Sequence, residues 1–227
     1  MAESAAPYSK SYYPVYLDLT GRACVVVGGG RVAERKVATL LKYGADVTVI
    51  APEVMPAIEI LIDQERIVLE RRGYVRGDLT GAFVVICATD SEEINRAVYS
   101  EAEEMGVLVN VVDVPPLCNF IVPSIVKRGG LQIAISTGGA APAVAKRVRR
   151  HLQEEYGQEW GAYIALLGEI RALAMSQIAD DGERKAFFER IADSDVLARF
   201  TRGDTPVAAD VLAEFREGAD QATARSR

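Results

Sequence analysis

The stretch ACVVVGGGRVAERK, residues 23–36, decides the fold. An apolar, β-branched run ends at a glycine-rich turn, and helix-forming residues follow the turn. Gly28, Gly30 and Ala33 satisfy the pattern G-x-G-x-x-G/A, which marks a dinucleotide-binding turn when it connects a strand to a helix. Glycine at 28 permits the tight turn, glycine at 30 lets the backbone approach a pyrophosphate, and a small residue at 33 lets the helix pack on the strand. The candidate cofactor loop is therefore Gly28, Gly29, Gly30, Arg31, Val32 and Ala33.

Outward from this turn, short apolar runs alternate with helical stretches. Nearly continuous apolar strands between helices are typical of a parallel sheet that is covered by helices on both faces. The sequence thus predicts an α/β fold with a Rossmann-like parallel sheet. Its strands are predicted at 23–28, 46–51, 66–71, 82–88 and 106–112, and its helices at 32–42, 54–64 and 92–105.

The pattern changes after residue 112. A Pro-Pro pair at 115–116 interrupts it, and one more strand is predicted at 131–136. From Pro142 onward, the spacing of apolar residues predicts only helices. We therefore expect a smaller, mainly helical part to follow the sheet. Its helices are predicted at 142–156, 160–178, 183–192 and 207–217.

Composition argues against several kinds of partner. The 227-residue chain has a formal charge of -6 and a sequence pI of about 5.0, so nucleic acid and anionic lipid would repel it. No run approaches the ~18 apolar residues of a membrane span, and the first ten residues lack the apolar segment of a signal peptide. We therefore expect a cytoplasmic protein that binds neither nucleic acid nor membrane. One histidine and three widely spaced cysteines predict no metal site and no disulfide framework.

Three further residues are candidates for cofactor contacts. Glu53 is the carboxylate nearest to the end of the second strand, where a Rossmann site binds the adenosine ribose; a role at the start of the next helix is the alternative. No arginine stands there to receive a 2′-phosphate, which favours NAD over NADP. Thr89 and Asp90 follow the fourth strand, at the edge where such sheets bind ligands, and the alternative is that they cap the next helix.

Two polar residues lie at the mouth of the fifth strand. Asn110 is a further candidate for the cofactor site. Asp113 is the acid that we expect to accept a proton, because an apolar strand end can desolvate a carboxylate and raise its pKa toward neutrality. The alternative for Asp113 is a hydrogen bond within the turn before Pro115.

A second strand, glycine turn and helix cover residues 131–150. Ser136 and Thr137 precede the turn, and they either bind ligand or only cap the chain there. A basic cluster follows on the helix and would attract a substrate with several carboxylates, unless it is simply a solvated helix face. The cluster consists of Lys146, Arg147, Arg149 and Arg150.

Three segments, in this order and at these separations, carry a resemblance to one family. They are GGGRVAERK at 28–36, CATDSEEIN at 87–95 and VNVVDVPPLCNFIVPSIVKRGGLQIAISTGGAAPAVAKRVRR at 109–150. The chain resembles the precorrin-2 dehydrogenase and sirohydrochlorin ferrochelatase family, the module that completes siroheme synthesis. The resemblance extends from about residue 12 to residue 150.

The resemblance implies a domain organisation and a reaction. An NAD-binding Rossmann domain would cover 1–114, a small dimerisation region 115–150 and a helical carboxyl-terminal domain 151–227. The protein would be a homodimer that uses NAD to oxidise the tetrapyrrole precorrin-2 to sirohydrochlorin. Asp113 matches the family's catalytic aspartate, and the nucleotide loop and the segment with Thr89 and Asp90 match its cofactor site. The basic cluster would meet the carboxylates of the substrate.

Two alternatives stay open at this point. Some family members also insert Fe²⁺ into sirohydrochlorin, which would make Fe²⁺ a second substrate. This chain departs from some members at Thr137, where they have serine, and at Asn119, where they have an acid. The other alternative is a non-catalytic Rossmann module that senses NAD(H), because a fold alone does not establish a reaction.

Overall fold

The structure is a computed structural model that describes residues 10–225, with side chains described as far as residue 216. The chain divides into two compact units. The first runs to Val122 and includes Gly138–Ala140, whereas the second comprises Pro123–Thr137 and continues from Ala141. The three domains expected from the family resemblance, with boundaries at residues 114 and 150, are functional parts and not compact units, and they stay a prediction.

The first unit is built on a sheet of five parallel strands within the described residues, in the order β3-β2-β1-β4-β5. This is the order of one half of a Rossmann fold, so the predicted fold class is confirmed. The strands are β1 (Ala23–Val27), β2 (Asp46–Ile50), β3 (Val68–Glu70), β4 (Val84–Cys87) and β5 (Leu108–Val111). The helices are α1 (Arg31–Lys42), α2 (Pro56–Asp63) and α3 (Glu92–Met105).

Helices cover both faces of this sheet, which explains why its strands are almost continuously apolar. On one face, Ala33 and Val37 of α1 pack among Val26 and Val49 of the central strands, and all four are fully buried. On the other face, α3 packs Val98 against the neighbouring strands β4 and β5. The buried alanine is the small residue that the glycine motif requires for close packing of helix and strand.

The strand order reverses between β1 and β4. Helix α1 connects β1 to β2 in one direction along the sheet, and α3 connects β4 to β5 in the other. A crevice therefore opens at the carboxyl ends of β1 and β4, where open parallel sheets bind their ligands. The glycine turn and the Thr89–Asp90 segment each begin at one of these two strand ends.

The exposed edge of β5 is covered by the segment that follows a short 3₁₀ helix (Pro115–Leu117). Asn119 gives this segment strand-like pairing: its Oδ1 accepts a hydrogen bond from the backbone N–H of Val109 at 2.7 Å, and its Nδ2 donates to the carbonyl of Val107 at 2.9 Å. An unpaired edge would be open to other strands. In this chain Asn119 therefore has a structural role.

The second unit consists of an antiparallel pair of strands followed by helices. Its core is aromatic and aliphatic, and Ile170, Phe187 and Val196 are fully buried there. Among the described helices of the chain, none is both long enough and apolar enough to cross a membrane. The strands are β6 (Ser124–Arg128) and β7 (Leu131–Ile135), and the helices are α4 (Pro142–Glu155), α5 (Glu159–Gln177), α6 (Asp181–Ala192), α7 (Val196–Thr201) and α8 (Ala208–Arg225).

Two elements of the second unit were not predicted. Strand β6 ends in Lys127 and Arg128, and two glycines follow it, a composition that is typical of a loop. It forms because β7 supplies the partner strand, in a hairpin pairing of all five residues. Helix α7 has only six residues, which is too short for an apolar period to be recognised. Both elements depend on contacts that local composition does not contain.

Arg128 connects β6 to the end of α4. Its Nε donates to the carbonyl of Tyr156 at 2.8 Å, and its Nη2 donates to the carbonyl of Gln153 at 2.9 Å. The last carbonyls of a helix have no partner within the helix and carry partial negative charge. The half-buried guanidinium therefore satisfies the carboxyl end of α4 by hydrogen bonds and by its charge.

Arg128→Met should destabilise this helix end, because two charge-assisted hydrogen bonds to half-buried carbonyls are lost. The expected loss is about 1–3 kcal/mol in the free energy of local opening. Hydrogen exchange of the backbone N–H of Tyr156, which is bonded to Leu152, measures it directly. Arg150→Met, which removes an exposed charge from the same helix, is the control and should leave that exchange rate unchanged. Equal exchange rates of this N–H in the two variants would contradict the role of Arg128 at the end of α4.

Candidate active site

The first two glycines of the turn are required by the chain itself. Gly28 has φ +117°, and a Cβ there would lie 2.3 Å from the carbonyl oxygen of Ala88. A Cβ on Gly29 would lie 1.9 Å from the carbonyl oxygen of Glu53. Both neighbours are backbone atoms and cannot rotate away, so these positions exclude any side chain. The glycines thereby let the loops after β1, β2 and β4 approach one another.

Gly30 has a different environment. A Cβ at this position would meet nothing within 4 Å, and the backbone has φ −78°, which any residue can adopt. Gly30 is also the N-cap of α1, and no side chain caps the helix there. The first N–H groups of a helix bind anions when no side chain occupies them. The residues present therefore fit a pyrophosphate above Gly30, beside the exposed Arg31 and the half-buried Val32.

Glu53 lies in the loop between β2 and α2 and is exposed. Helix α2 begins at Pro56 with Met55 as its N-cap, so Glu53 stands outside the first helical turn. The loop is fixed against the glycine turn, since the N–H of Met55 donates to the carbonyl of Gly29 at 2.9 Å. The helix-start alternative for Glu53 therefore does not match its position, and the contact with the adenosine ribose stays a prediction.

Thr89 and Asp90 lie at the carboxyl end of β4, and neither is the cap of α3. That cap is Ser91, whose Oγ accepts a hydrogen bond from the N–H of Ile94 at 3.3 Å. The Oγ1 of Thr89 accepts from the N–H of Ser91 at 3.2 Å and thereby shapes the turn. Asp90 is exposed. The structure thus leaves this carboxylate outside the capping role that was the alternative.

Asn110 uses its amide within the protein. Its Nδ2 donates to the carbonyl of Phe120 at 3.1 Å and so holds the segment that covers the edge of β5. The place of Asn110 near a strand end predicted a cofactor contact. A partner ten residues further along, in an irregular segment, leaves no local signal in the sequence. A cofactor contact of Asn110 stays a prediction, and its amide nitrogen is already engaged.

Asp113 occupies the turn after β5 with an unusual backbone. Its φ is +60°, in the left-handed region that non-glycine residues rarely adopt, although aspartate tolerates it better than most. Its side chain is exposed, so the apolar enclosure that we expected around the carboxylate is not present. Within residues 10–216, the carboxylate makes no hydrogen bond to the turn before Pro115, which was the alternative role. The acid is therefore available to a ligand.

Lys36 is a residue that the sequence analysis missed. It is half-buried on α1, and burial lowers the pKa of its ammonium group. The neighbouring Arg35 lowers this pKa further, whereas Asp113 and Cys118 oppose the shift by favouring the charged form. Asp113 thus acts electrostatically on a partly desolvated cation. The available signal was the position of Lys36 beside the buried stripe formed by Ala33 and Val37.

The candidate ligand residues of the second unit lie around a glycine turn. Gly138 and Gly139 both have positive φ, at +61° and +86°. Thr137 supports this turn, because its Oγ1 accepts a hydrogen bond from the N–H of Ala141 at 3.1 Å. Ser136 is exposed. The structural alternative accounts for the hydroxyl of Thr137, and ligand contacts of both residues stay predictions.

The basic cluster on α4 is not uniform. Arg149 is half-buried and donates from Nη1 to Oε1 of Gln153 at 3.3 Å, one turn further along. Lys146, Arg147 and Arg150 are exposed, and no ion pair involves them in the part of the chain whose side chains are described. Three of the four predicted residues therefore present free positive charge. Throughout that same part, no group of three or more His, Cys, Asp or Glu residues could hold a metal ion.

Three family models match consecutive parts of the chain. A model described as putative NAD(P)-binding covers residues 15–124, and one described as sirohaem biosynthesis protein central covers 128–155. A third, described as sirohaem synthase dimerisation region, covers 159–216. The last falls on the helical segment, whereas the sequence analysis placed dimerisation at 115–150.

Known proteins match over most of the chain. Siroheme synthase 1 of Aeromonas salmonicida is 39% identical over 212 residues, which are 92% of this chain and 45% of that protein. Siroheme synthase of Methylobacillus flagellatus is 37% identical over 205 residues, which are 90% and 44% of the two chains. The solved structure of SirC, precorrin-2 dehydrogenase, superposes with a TM-score of 0.76 at 28% identity and covers 91% of this chain and 100% of that one. The chain thus spans less than half the length of the synthases.

The glycine turn that is open at Gly30, together with the crevice beside it, defines the first unit as a dinucleotide-binding Rossmann domain. Consecutive matches to the siroheme models place the second unit with it in one module. The chain belongs to the precorrin-2 dehydrogenase and sirohydrochlorin ferrochelatase family, as its motifs predicted.

The glycine turn allows a matched pair of substitutions. Gly29→Ala should destabilise the first unit by about 3 kcal/mol, because the added methyl group overlaps the backbone of Glu53. Gly30→Ala should unfold within a few degrees of the wild type but bind NAD⁺ about tenfold or more weakly, since its methyl group enters open space that the pyrophosphate needs. Thermal unfolding and calorimetric titration with NAD⁺ measure the two effects. Unchanged NAD⁺ affinity in Gly30→Ala would exclude this turn as the pyrophosphate site.

The charge of Asp113 should be detectable at Lys36. Asp113→Asn removes a negative charge that favours the protonated ammonium, so the pKa of Lys36 should fall further below its usual value. An NMR titration of the Lys36 side chain in both proteins gives this shift. Asp90→Asn, at the end of a different strand, is the control and should leave the titration in place. A shift of equal size in the control would show that the effect is not specific to Asp113.

Proposed function

We propose that this chain is an NAD-dependent dehydrogenase that oxidises the tetrapyrrole precorrin-2 to sirohydrochlorin. One observation carries the proposal: the open glycine turn after β1 and the exposed Asp113 after β5 lie at the same edge of one sheet. Only β4 separates β1 from β5, so the two strand ends are two strand spacings apart, about 10 Å. A cofactor at the turn and a proton acceptor thus border one crevice. The siroheme synthase relatives and the match to precorrin-2 dehydrogenase support the choice of substrate.

In the proposed cofactor site, three loops contact three different parts of the dinucleotide. The Gly28–Ala33 turn binds the pyrophosphate through backbone N–H groups, and Glu53 accepts hydrogen bonds from the adenosine ribose. An acid at this place repels a 2′-phosphate, which favours NAD over NADP. Thr89 and Asp90 border the nicotinamide half. When bound, the oxidised nicotinamide supplies the acceptor for the hydride that the substrate loses.

Asp113 accepts the proton that accompanies this loss. The substrate gives up one hydride and one proton, so the oxidation balances only if a base is close to the reacting carbon. The Asp113 carboxylate is exposed and makes no hydrogen bond to its own turn, so it can take that proton and release it to water. This assignment makes Asp113 the catalytic residue of the chain.

The second unit supplies charges for the substrate. Precorrin-2 carries eight carboxylates, and the exposed Lys146, Arg147 and Arg150 offer positive charge without acidic partners in the described structure. Such a group of cations raises the local concentration of a polyanion in an otherwise acidic protein. Arg149 is bonded to Gln153 and therefore has a smaller share in the proposal. Ser136 and Thr137 at the second glycine turn are proposed as further substrate contacts.

The proposal includes a homodimer in the cytoplasm, where NAD⁺ is available. The match to a dimerisation-region model over 159–216 supports association. Two exposed valines on α4, Val144 and Val148, support a contribution from the 115–150 region, since they lie one turn apart on one face and are 52% and 38% exposed. Light scattering tests the homodimer, and a monomer at micromolar concentration would refute it.

An anaerobic assay tests the reaction. Precorrin-2, NAD⁺ and the protein should yield NADH and sirohydrochlorin in equal amounts. Asp113→Asn keeps a side chain that tolerates the left-handed backbone, so it should bind NAD⁺ normally but lose turnover by about 100-fold or more. Asp63→Asn, an exposed acid at the end of α2, is the control and should keep full turnover. Undiminished activity of the Asp113 variant would remove this residue from the mechanism.

The same assay separates the alternatives. With Fe²⁺ added after the oxidation, formation of siroheme faster than in a protein-free control would establish iron insertion as a second activity, with Fe²⁺ as a substrate. Without such acceleration, the chain is a dehydrogenase only. Tight NAD⁺ binding with no turnover by the folded protein would instead favour the NAD(H)-sensing module and overturn the proposed reaction.

A further inference from the structure

Asn95 is a buried polar side chain that none of the roles above employs. It lies in the first turns of α3 and is 6% exposed. Its Oδ1 accepts a hydrogen bond from the thiol of Cys87 at 3.1 Å, and its Nδ2 donates to the carbonyl of Thr89 at 3.2 Å. A buried amide is costly unless both of its ends are bonded, and here both partners belong to one short stretch of chain.

The direction of these two bonds is determined by the carbonyl of Thr89, which can only accept a hydrogen bond and therefore faces the amide nitrogen. Burial raises the pKa of Cys87 to about 12, so the sulfur keeps its proton and acts as a donor throughout the physiological range. The amide oxygen then faces Cys87 and accepts a hydrogen bond from this thiol. The pair thus holds the backbone at the exact point where β4 ends and the cofactor loop begins.

This point of the chain lies directly against the glycine turn. The carbonyl oxygen of Ala88, between the two residues that Asn95 holds, is only 2.3 Å from where a Cβ of Gly28 would be. Any displacement of Ala88–Thr89 therefore changes the distance between the two loops that form the crevice. The next residues are tied in as well, since the N–H of Asn95 donates to the carbonyl of Ser91 at 3.0 Å.

We propose that Asn95 is a positioning residue for the dinucleotide: with Cys87, it holds the Ala88–Asp90 backbone at the spacing from the glycine turn that the cofactor requires. The proposal rests on the proposed function in so far as Thr89 and Asp90 border the cofactor. It predicts that the amide controls cofactor affinity through the loop, without contact with the cofactor itself.

Helix α3 offers a matched control. Glu101 is 3% exposed, and its carboxylate accepts hydrogen bonds from the backbone N–H groups of Gly77 at 3.1 Å and Leu79 at 3.3 Å, and from the hydroxyl of Tyr74. These partners precede β4, whereas those of Asn95 are the last residue of β4 and Thr89 just after it. Two buried polar residues of one helix thus hold loops at opposite ends of the same strand. Only one of these ends borders the proposed site.

The test compares NAD⁺ affinity in variants of these residues. Asn95→Asp keeps an oxygen for the thiol but places a second oxygen opposite the carbonyl of Thr89, so the dissociation constant of NAD⁺ should rise about tenfold or more. Glu101→Gln should lower the melting temperature about as much as Asn95→Asp does, but it should change the dissociation constant of NAD⁺ less than twofold. Calorimetry and thermal unfolding give both values. Equal weakening of NAD⁺ binding in the two variants would reduce Asn95 to a general stabilising role and overturn the proposal.

The partner thiol supplies a milder variant in case Asn95→Asp folds poorly. Cys87→Ala leaves the buried amide oxygen of Asn95 without its donor, and it should weaken NAD⁺ binding, whereas Cys87→Ser keeps a donor and should restore the wild-type affinity. Affinity that is unchanged in Cys87→Ala and in Asn95→Asp would contradict the proposal. Failure of the proposed function looks different: the wild type would then bind NAD⁺ without oxidising precorrin-2, and the comparison of affinities would still decide the role of Asn95.

Discussion

The first unit depends on a close approach between backbone segments that leaves no room for a side chain. At Gly28 and Gly29, the loop after β1 passes within van der Waals contact of the carbonyls of Ala88 and Glu53. These two carbonyls lie just after β4 and β2, the strands that flank β1 in the sheet. The absence of two β-carbons thus lets three loops meet at one edge. Without this contact, the ends of these strands would be separated by side chains.

The third glycine of the turn shows that the motif has two physical functions. Gly28 and Gly29 are glycines because protein atoms occupy the space, but the space beside Gly30 is open. Contacts within the protein therefore explain two of the three positions, and the proposed pyrophosphate site accounts for the last. The same distinction applies to α3, where Glu101 holds a loop far from the crevice and Asn95 holds the loop beside it. In the glycine turn and in α3 alike, some residues serve the packing of the sheet, and other residues of the same element shape the proposed site.

The sequence predicts most of the sheet because buried parallel strands carry their signal locally. The apolar runs of β1, β2, β4 and β5 are each within two residues of the observed strands at both ends, and α3 agrees at both bounds. The roles of residues that depend on partners far along the chain could not be predicted from the sequence. The amide of Asn110 is engaged by Phe120, Arg149 is bonded to Gln153, and the influence of Asp113 on Lys36 spans two elements. Motif spacing places a residue at a strand end, but it does not show whether the side chain is already occupied.

Asp113 illustrates what backbone energetics can add to such a motif. A left-handed conformation costs an L-residue roughly 1–2 kcal/mol, and glycine would adopt it at no steric cost. The turn after β5 makes no use of the carboxylate, and the side chain is exposed, so neither hydrogen bonding nor packing offsets this cost within the described chain. Glu65, which follows α2, has a comparable φ of +54°, so the backbone of Asp113 shows a cost at this turn but does not by itself identify a ligand site. What distinguishes Asp113 is its place at the carboxyl end of β5, at the same edge of the sheet as the glycine turn, which is the position that the proposed proton acceptor needs.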